Sequence, residues 1–509
     1  MRSKNAFKNL VASLACELVI FAFGLIVPRL VILSYGDAVN GLTQTINRLL
    51  SLINLIQAGA VGAAIYQMYK PVADNDYETQ GAIIASSKRY FTKIGIIYLA
   101  VAMIVAFLSA SYLKSADISF YEIVFSFVIL ATNGSLYFFT SKFDVVFSSY
   151  QKRYLLTVST LIERLIYYAL LFAVALAGLH FLLMYIALLF GGIIRVIINA
   201  IFYRKLTGGK IKKKSGDINF EIKDRKFLMM NSIGTEMITA APTVIITTFV
   251  GLVYSSVFSI YAMVYTSMKT IINSVQLSIS AIFGNLVVKS DNEKIARVFN
   301  IMVYTFTVLG AFLASCTAFL FTPFLDIYTA NFDSVNYKYP ILVLFVVAYV
   351  AIFAFKMVFA FVSTVYGLFR DMCKITLSLG FISVVLSIIC TVLLGMPYVM
   401  IGVLFFHLSY TVALLRVYTK KIEWFNFKKM GRRIALLILL PTIFYVVYWG
   451  APIAVNSFFD WIILAIICAV VVFVALTLYS LIFERKEMLA LILYVKRIFH
   501  KKTKKYSEV

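Results

Sequence analysis

Residues 461–483 read WIILAIICAVVVFVALTLYSLIF, a run of twenty-three positions without one charged side chain. About 20 consecutive apolar residues let a helix cross the hydrocarbon core of a bilayer. This run alone therefore predicts a membrane span. Working outward from it, thirteen more apolar runs bounded by charges or turn residues precede it in the chain. The full set is 9–33, 39–65, 94–113, 120–140, 155–177, 181–202, 228–250, 256–283, 298–322, 340–366, 376–395, 397–415, 435–453 and 461–483. The runs are continuous rather than alternating, so a transmembrane β-barrel is excluded. The expected fold class is an all-α polytopic membrane protein of about fourteen transmembrane helices.

Composition agrees with this. The 509 residues are 62% hydrophobic and only 14% charged, whereas soluble domains are about 45–50% apolar. That excludes a secreted enzyme, a nucleic-acid-binding protein and a disordered scaffold. The net charge of +24 bears instead on topology, because cytoplasmic segments collect Lys and Arg. With the N-terminus in the cytosol, 39 of the 47 cations fall in inner segments. Outer segments hold only Lys114 and Lys338, and six more cations lie inside spans. Dropping one span or inverting the chain destroys the alternation, so fourteen spans with both termini inside are expected. The first run is too long for the apolar core of a signal peptide and is read as the first span.

The inner loop between spans six and seven carries nine cations, Lys212–Lys214 among them. It divides the chain into residues 1–202 (an N-terminal six-helix bundle), 203–227 (a basic cytoplasmic linker) and 228–434 (a second six-helix bundle). Residues 435–483 are two further spans, and 484–509 form a basic cytoplasmic tail suited to anionic headgroups. A shift of 219 residues sets Glu17 on Glu236, Tyr35 on Tyr254, Ser51 on Thr270 and Asn54 on Asn273. Both halves start on the same side, so the two bundles are expected as parallel repeats about a pseudo-two-fold along the membrane normal.

Spans two and eight are the polar ones. Asn40, Gln44, Asn47, Arg48, Ser51 and Asn54 recur on one helical face, as do Ser259, Thr266, Lys269, Thr270, Asn273 and Ser274. Such stripes either glue helices together through hydrogen bonds or line water. A cation on each favours a shared aqueous cavity. An uncompensated charge at the centre of a span costs about 2.5–3.5 kcal/mol, so each of the others needs a reason. Arg164 is placed to snorkel to the inner surface, and Arg29 outward. Lys356 either snorkels or is a further cavity cation. Arg195 is another candidate, or pairs with Glu17 or Glu236. Six cations against Glu17, Glu163 and Glu236 leave the spans positive, which suits an anionic ligand better than a cationic drug. Pro28 and Pro242 each remove a helix hydrogen bond and are expected kinks or hinges.

Catalytic and metal chemistry have no constellation here. Five cysteines lie in or beside apolar runs without a C-x-x-C pair, and the three histidines are far apart, so no metal is expected. There is no P-loop, so ATP does not drive the chain directly. No cofactor is expected beyond a coupling ion, Na+ or H+. No outer loop exceeds 17 residues, too short for an extracytoplasmic catalytic domain.

Short motifs add a resemblance. Pro28-Arg29, Tyr35-Gly36 and Asn40-Gly41-Leu42, then Leu55, Gly59, Ala63 and Tyr69-Lys70-Pro71, resemble the opening of bacterial polysaccharide repeat-unit flippases of the Wzx type. These belong to the multidrug/oligosaccharidyl-lipid/polysaccharide (MOP) exporter superfamily. Lys88-Arg89-Tyr90-Phe91, Tyr150-Gln151-Lys152-Arg153-Tyr154 and Gly251 with Val253-Tyr254-Ser255 fit the same pattern. The resemblance implies two six-helix bundles in a MATE-like V around a central cavity, plus two C-terminal helices. The implied activity is flipping an undecaprenyl-pyrophosphate-linked oligosaccharide across the bacterial cytoplasmic membrane for cell-surface polysaccharide export. It implies a transporter rather than an enzyme, with polysaccharide polymerases and glycosyltransferases as possible partners.

In related lipid II flippases, cavity cations occupy spans one, two and eight, which here hold Arg29, Arg48 and Lys269. Lys supplies charge but no bidentate fork to phosphate. These three are the expected pyrophosphate ligands. Asn40, Gln44, Asn47, Ser51, Asn54, Thr266, Thr270 and Asn273 are the expected sugar contacts, and Glu17 and Glu236 the coupling or gating acids. Two alternatives remain: a cation-coupled multidrug exporter of the same fold, and a membrane-embedded polymerase or glycosyltransferase.

Overall fold

In the computed structural model the apolar runs become α-helices. It describes residues 2–57, 60–113, 118–209, 211, 225–289, 292–332, 335–421, 430–451 and 453–493. The run Lys212–Lys214 and the tail cations from Lys496 onward lie outside the described residues.

The helices are α1 (Arg2–Tyr35), α2 (Asp37–Ile53), α3 (Ala60–Ala73), α4 (Tyr77–Tyr112), α5 (Phe120–Ser149), α6 (Tyr154–Leu176), α7 (Leu182–Thr207) and α8 (Arg225–Phe249). There follow α9 (Leu252–Lys289), α10 (Asn292–Tyr328), α11 (Pro340–Val365), α12 (Phe369–Leu394), α13 (Val399–Lys421), α14 (Met430–Gly450) and α15 (Phe458–Phe483). Among the described residues, twelve segments are long and apolar enough to cross a membrane. They coincide with twelve of the fourteen runs. The other two runs correspond to α8 and α9, which are long but more polar. The chain is a multi-pass membrane protein.

Polar side chains set the helix starts. Ser119 and Glu122 form a reciprocal capping box at α5, the Asp76 carboxylate accepts from the first backbone N–H groups of α4, and Ser457 caps α15. Gly36 (φ +85°) ends α1 and Gly251 (φ +125°) ends α8, conformations that favour glycine. These turns are 215 residues apart, one helical turn short of the 219-residue shift that aligns the two halves by sequence. Measured from its turn, Glu17 therefore lies about 6 Å further along its helix than Glu236 does. Pro28 and Pro242 lie inside α1 and α8.

The chain forms two compact units, Met1–Ile260 and Tyr261–Val509. The break falls inside α9 because α8 and the first turns of α9 pack on α2. In the first unit α1 lies on α6, with the Phe23 and Tyr168 rings stacked at 4.0 Å. Glycines on α4 and α7 bring helices close: a Cβ on Gly95 would stand 3.1 Å from Phe138 Cβ, and one on Gly192 2.3 Å from Asn133 Oδ1.

In the second unit α10 is central. Gly310 faces Ala354 of α11 and Leu437 of α14. The Tyr304 hydroxyl donates to Ser480 Oγ of α15 at 2.7 Å, and Trp461 Nε1 donates to the Leu320 carbonyl at 3.1 Å. A buried ion pair completes this packing. Arg433 of α14 donates through Nε and Nη2 to both carboxylate oxygens of Glu484, at 3.2 and 2.9 Å. Both side chains are fully buried.

Candidate functional site

Along α2 the polar stripe divides into two uses. Asn40 is buried and donates through Nδ2 to Ser256 Oγ (2.8 Å) and Ser259 Oγ (3.2 Å) of α9. Ser256 in turn donates to Asp37 Oδ1 at 3.4 Å. Thr45 Oγ1 lies 2.6 Å from Thr247 Oγ1 of α8. Asn40, expected to contact sugar, is instead a helix-to-helix tie. The two sequence stripes meet here directly, since Ser259 is itself one of the polar positions of span eight.

Gly41 allows the approach. A Cβ there would stand 1.9 Å from the Leu252 carbonyl oxygen, a backbone atom that cannot swing aside. Gly41→Ala should therefore force α2 away from α9, at a cost of about 1–3 kcal/mol. Thermal unfolding of the purified variant should show a Tm several degrees below wild type. An unchanged Tm would mean the clasp is not held this way.

Below the clasp the stripe is open. Arg48 is half-buried, Gln44 likewise and Asn47 exposed. Among the described residues none of these three side chains has a hydrogen-bond or ion-pair partner. Ser51 is half-buried and donates to the Arg48 carbonyl at 2.8 Å. Asn54 is the C-cap of α2: its backbone N–H still donates to the Leu50 carbonyl, and the chain tightens there into the 3-10 turn Asn54–Gln57. Arg29 is half-buried on α1 beside Pro28, and Glu17 is exposed on the same helix.

Arg195 corrects the reading most. It was expected either as a cavity cation or as the partner of Glu17 or Glu236. It is buried in the first unit, its Nε 3.3 Å from Glu163 Oε2, and its guanidinium lies 3.6 Å from the Tyr137 ring centroid. Among the described residues, Glu17 and Glu236 form no ion pair. The physical reason is packing. A Cβ on Gly191 would sit 3.0 Å from the Glu163 carbonyl oxygen, so α7 runs against α6 and carries Arg195, one turn on, past the Glu163 carboxylate.

In the second unit, Thr266, Thr270 and Asn273 follow one another along α9. The two threonines donate to carbonyls one turn back, at 2.6 and 3.0 Å. Lys269 lies between them, half-buried, with Nζ 5.9 Å from the Phe353 ring centroid. It is eighteen residues past Gly251, whereas Arg48 is only twelve past Gly36, so the two cations sit at different depths from their turns. Lys356 of α11 does not snorkel to a surface. It is buried, with Nζ 4.9 Å from Phe353, 5.3 Å from Tyr410 and 5.8 Å from Phe406. Cation–π contact of this kind recovers about 0.5–2 kcal/mol of the cost of burying the ammonium. His407, also buried, packs edge-on against Tyr349 and Phe353 and has an unpartnered Nδ1. Sequence reading missed it. Its only signal was a histidine inside an apolar run.

No protein-family model matches the chain, and no curated protein matches it by sequence. Solved structures do match its fold. One is the lipid II flippase MurJ in an inward closed conformation: TM-score 0.67 at 13% identity, over 94% of this chain and 99% of that one. Another is an inward-facing multidrug resistance MATE family transporter of the MOP superfamily, with TM-score 0.64 at 12% identity, over 82% of this chain and 95% of that one. The eukaryotic MATE transporter AtDTX14 matches with TM-score 0.57 at 12% identity, over 86% and 99%. These neighbours are transporters, and over nearly its whole length the chain shares the fold of MurJ.

Proposed function

We propose that this protein flips an undecaprenyl-pyrophosphate-linked oligosaccharide from the inner to the outer leaflet of a bacterial cytoplasmic membrane, by alternating access, for export of a cell-surface polysaccharide. The observation that carries the reading is Arg48. A guanidinium inside a span, half-buried and without a protein partner among the described residues, is an unmet charge. A phosphate oxyanion meets it with a charge-assisted, bidentate pair. Arg29 completes the pyrophosphate site, Gln44, Asn47 and Ser51 contact sugar hydroxyls, and on α9 Lys269 with Thr266, Thr270 and Asn273 faces the sugar portion of the cargo. The chain then has fourteen spans with both termini cytoplasmic, as the distribution of Lys and Arg requires. Its two six-helix bundles, 1–202 and 228–434, alternate around the cargo, while 435–483 sit beside the lipid tail. Glu17 and Glu236 are the candidate coupling acids for Na+ or H+.

The wider extent of the MurJ likeness, 94% of the chain against 82% for the MATE transporter, supports the flippase over the drug exporter. The test is leaflet accessibility of a labelled undecaprenyl-pyrophosphate oligosaccharide in proteoliposomes, with and without an imposed ion gradient. Protein-dependent translocation supports the proposal. Absence of translocation under every gradient, with efflux of cationic drugs instead, would replace it by the exporter.

A further inference from the structure

We infer that Lys356, with Lys269 and His407, forms an oxyanion subsite that reads an acidic group on the sugar portion of the cargo. This rests on the flippase reading and narrows its substrate class to glycans bearing a carboxylate or phosphate.

Three basic side chains from three helices converge on one ring. Lys269 Nζ of α9 is 5.9 Å from the Phe353 centroid and Lys356 Nζ of α11 is 4.9 Å from it. The His407 ring of α13 meets the same phenyl ring at 5.7 Å and 85°. Among the described residues no carboxylate lies within ion-pair distance of Lys356. The two ammonium groups, 5.9 and 4.9 Å from the Phe353 centroid, repel in a medium of low dielectric constant, and one anion between them relieves the repulsion. Lys356 and His407 are 7% and 6% exposed, so neither is a solvated surface base. The unpartnered Nδ1 of His407 is a second buried group with hydrogen-bonding capacity to spare.

The aromatic neighbours suit a sugar acid. Phe353, Phe406 and Tyr410 stand around the Lys356 ammonium, and Tyr349 and Tyr265 lie beside them at 4.9 Å from one another. Aromatic faces take the C–H surfaces of pyranose rings, while ammonium groups take a uronic carboxylate, an acidic ketal or a phosphodiester. A cationic drug is repelled by the same cluster. Lys presents a point charge rather than a planar fork, which separates this subsite in kind from the guanidinium of Arg48.

The same oxyanion chemistry is offered by a free inorganic anion, and two assays separate the sources. The first is thermal unfolding of the purified full-length protein titrated with glucuronate, inorganic phosphate or glucose at constant ionic strength. Wild type should be stabilised by glucuronate and not by glucose. Lys356→Met should weaken the apparent glucuronate affinity about tenfold, the effect of losing one charged hydrogen bond, while Lys356→Arg, which keeps the charge, should stay close to wild type. Equal glucuronate responses in wild type and Lys356→Met would overturn the subsite.

The second assay compares flipping of two lipid-linked probes, one neutral and one carrying a uronic acid. Wild type should prefer the acidic probe, and Lys356→Met should lose the preference while still moving the neutral one. Stabilisation by phosphate with no preference between probes would identify a free-anion site and overturn the sugar-acid assignment. Glucuronate binding that depends on Lys356, with neither probe flipped, would leave the subsite standing and remove the flippase reading instead.

Discussion

Arg48→Ala lowers flipping of a pyrophosphate-linked oligosaccharide at least about tenfold, because a hydrogen bond to a charged group contributes about 1.5–3 kcal/mol. Among the described residues the Arg48 side chain has no partner to orphan, and Asn40 and Thr45 on the same helix remain tied to α9 and α8. The variant should therefore insert and unfold like wild type. Arg48→Lys should recover part of the rate, since it restores charge without the fork. The check is leaflet accessibility in proteoliposomes, with membrane yield and Tm measured on the same preparations. Normal flipping by Arg48→Ala would remove the residue from the site. A large fall in Tm would mean that Arg48 has a structural role.

The second large effect is on stability. Arg433→Met leaves the fully buried Glu484 carboxylate without its main counter-charge, and breaking a buried pair from one side costs about 3–5 kcal/mol. Arg432 is a poor substitute: it is half-exposed and 3.8 Å from the same carboxylate. For a unit of this size the loss corresponds to a Tm drop of roughly 10 °C. Arg433→Met combined with Glu484→Leu should regain most of it, because no unpaired charge is left behind. If the double variant is no better than the single, the cost comes from packing around Arg433 rather than from the stranded carboxylate.

The spans were legible because each apolar run is a local property of the chain, and all twelve helices that meet the length and apolarity criterion coincide with such runs. The two uses of α2 were not. Asn40, Gln44, Asn47 and Arg48 share one helical face, and a period of 3.6 gives direction around the axis but not what faces each level. Only the turn at Gly251 and the absence of a side chain at Gly41 bring α9 against Asn40 and leave Gln44 open four residues later. The tightening of the chain into a 3-10 turn from Asn54 also escaped the pattern, since the polar spacing runs on through it. Arg195 was readable as a charge needing a reason. Its partner was hidden because Glu163 stands beside Arg164 in sequence and joins Arg195 only through the packing of α6 on α7. The aromatic surroundings of Lys356 come from two helices roughly fifty residues apart, beyond any local signal.

α15 is fastened to α10 at two levels, by Trp461 to the Leu320 carbonyl and by Tyr304 to Ser480, and its end is fastened to α14 by Glu484 and Arg433. A rod pinned at two points along its length cannot tilt against its neighbour. The open apolar groove between α14 and α15, lined by Leu436, Leu439, Leu440, Ile443, Ala475 and Tyr479, has a volume of about 390 Å³, and its width is fixed by those three fastenings. Any apolar occupant of that groove would meet a rail rather than a jaw, because α14 and α15 can move only as one piece with α10.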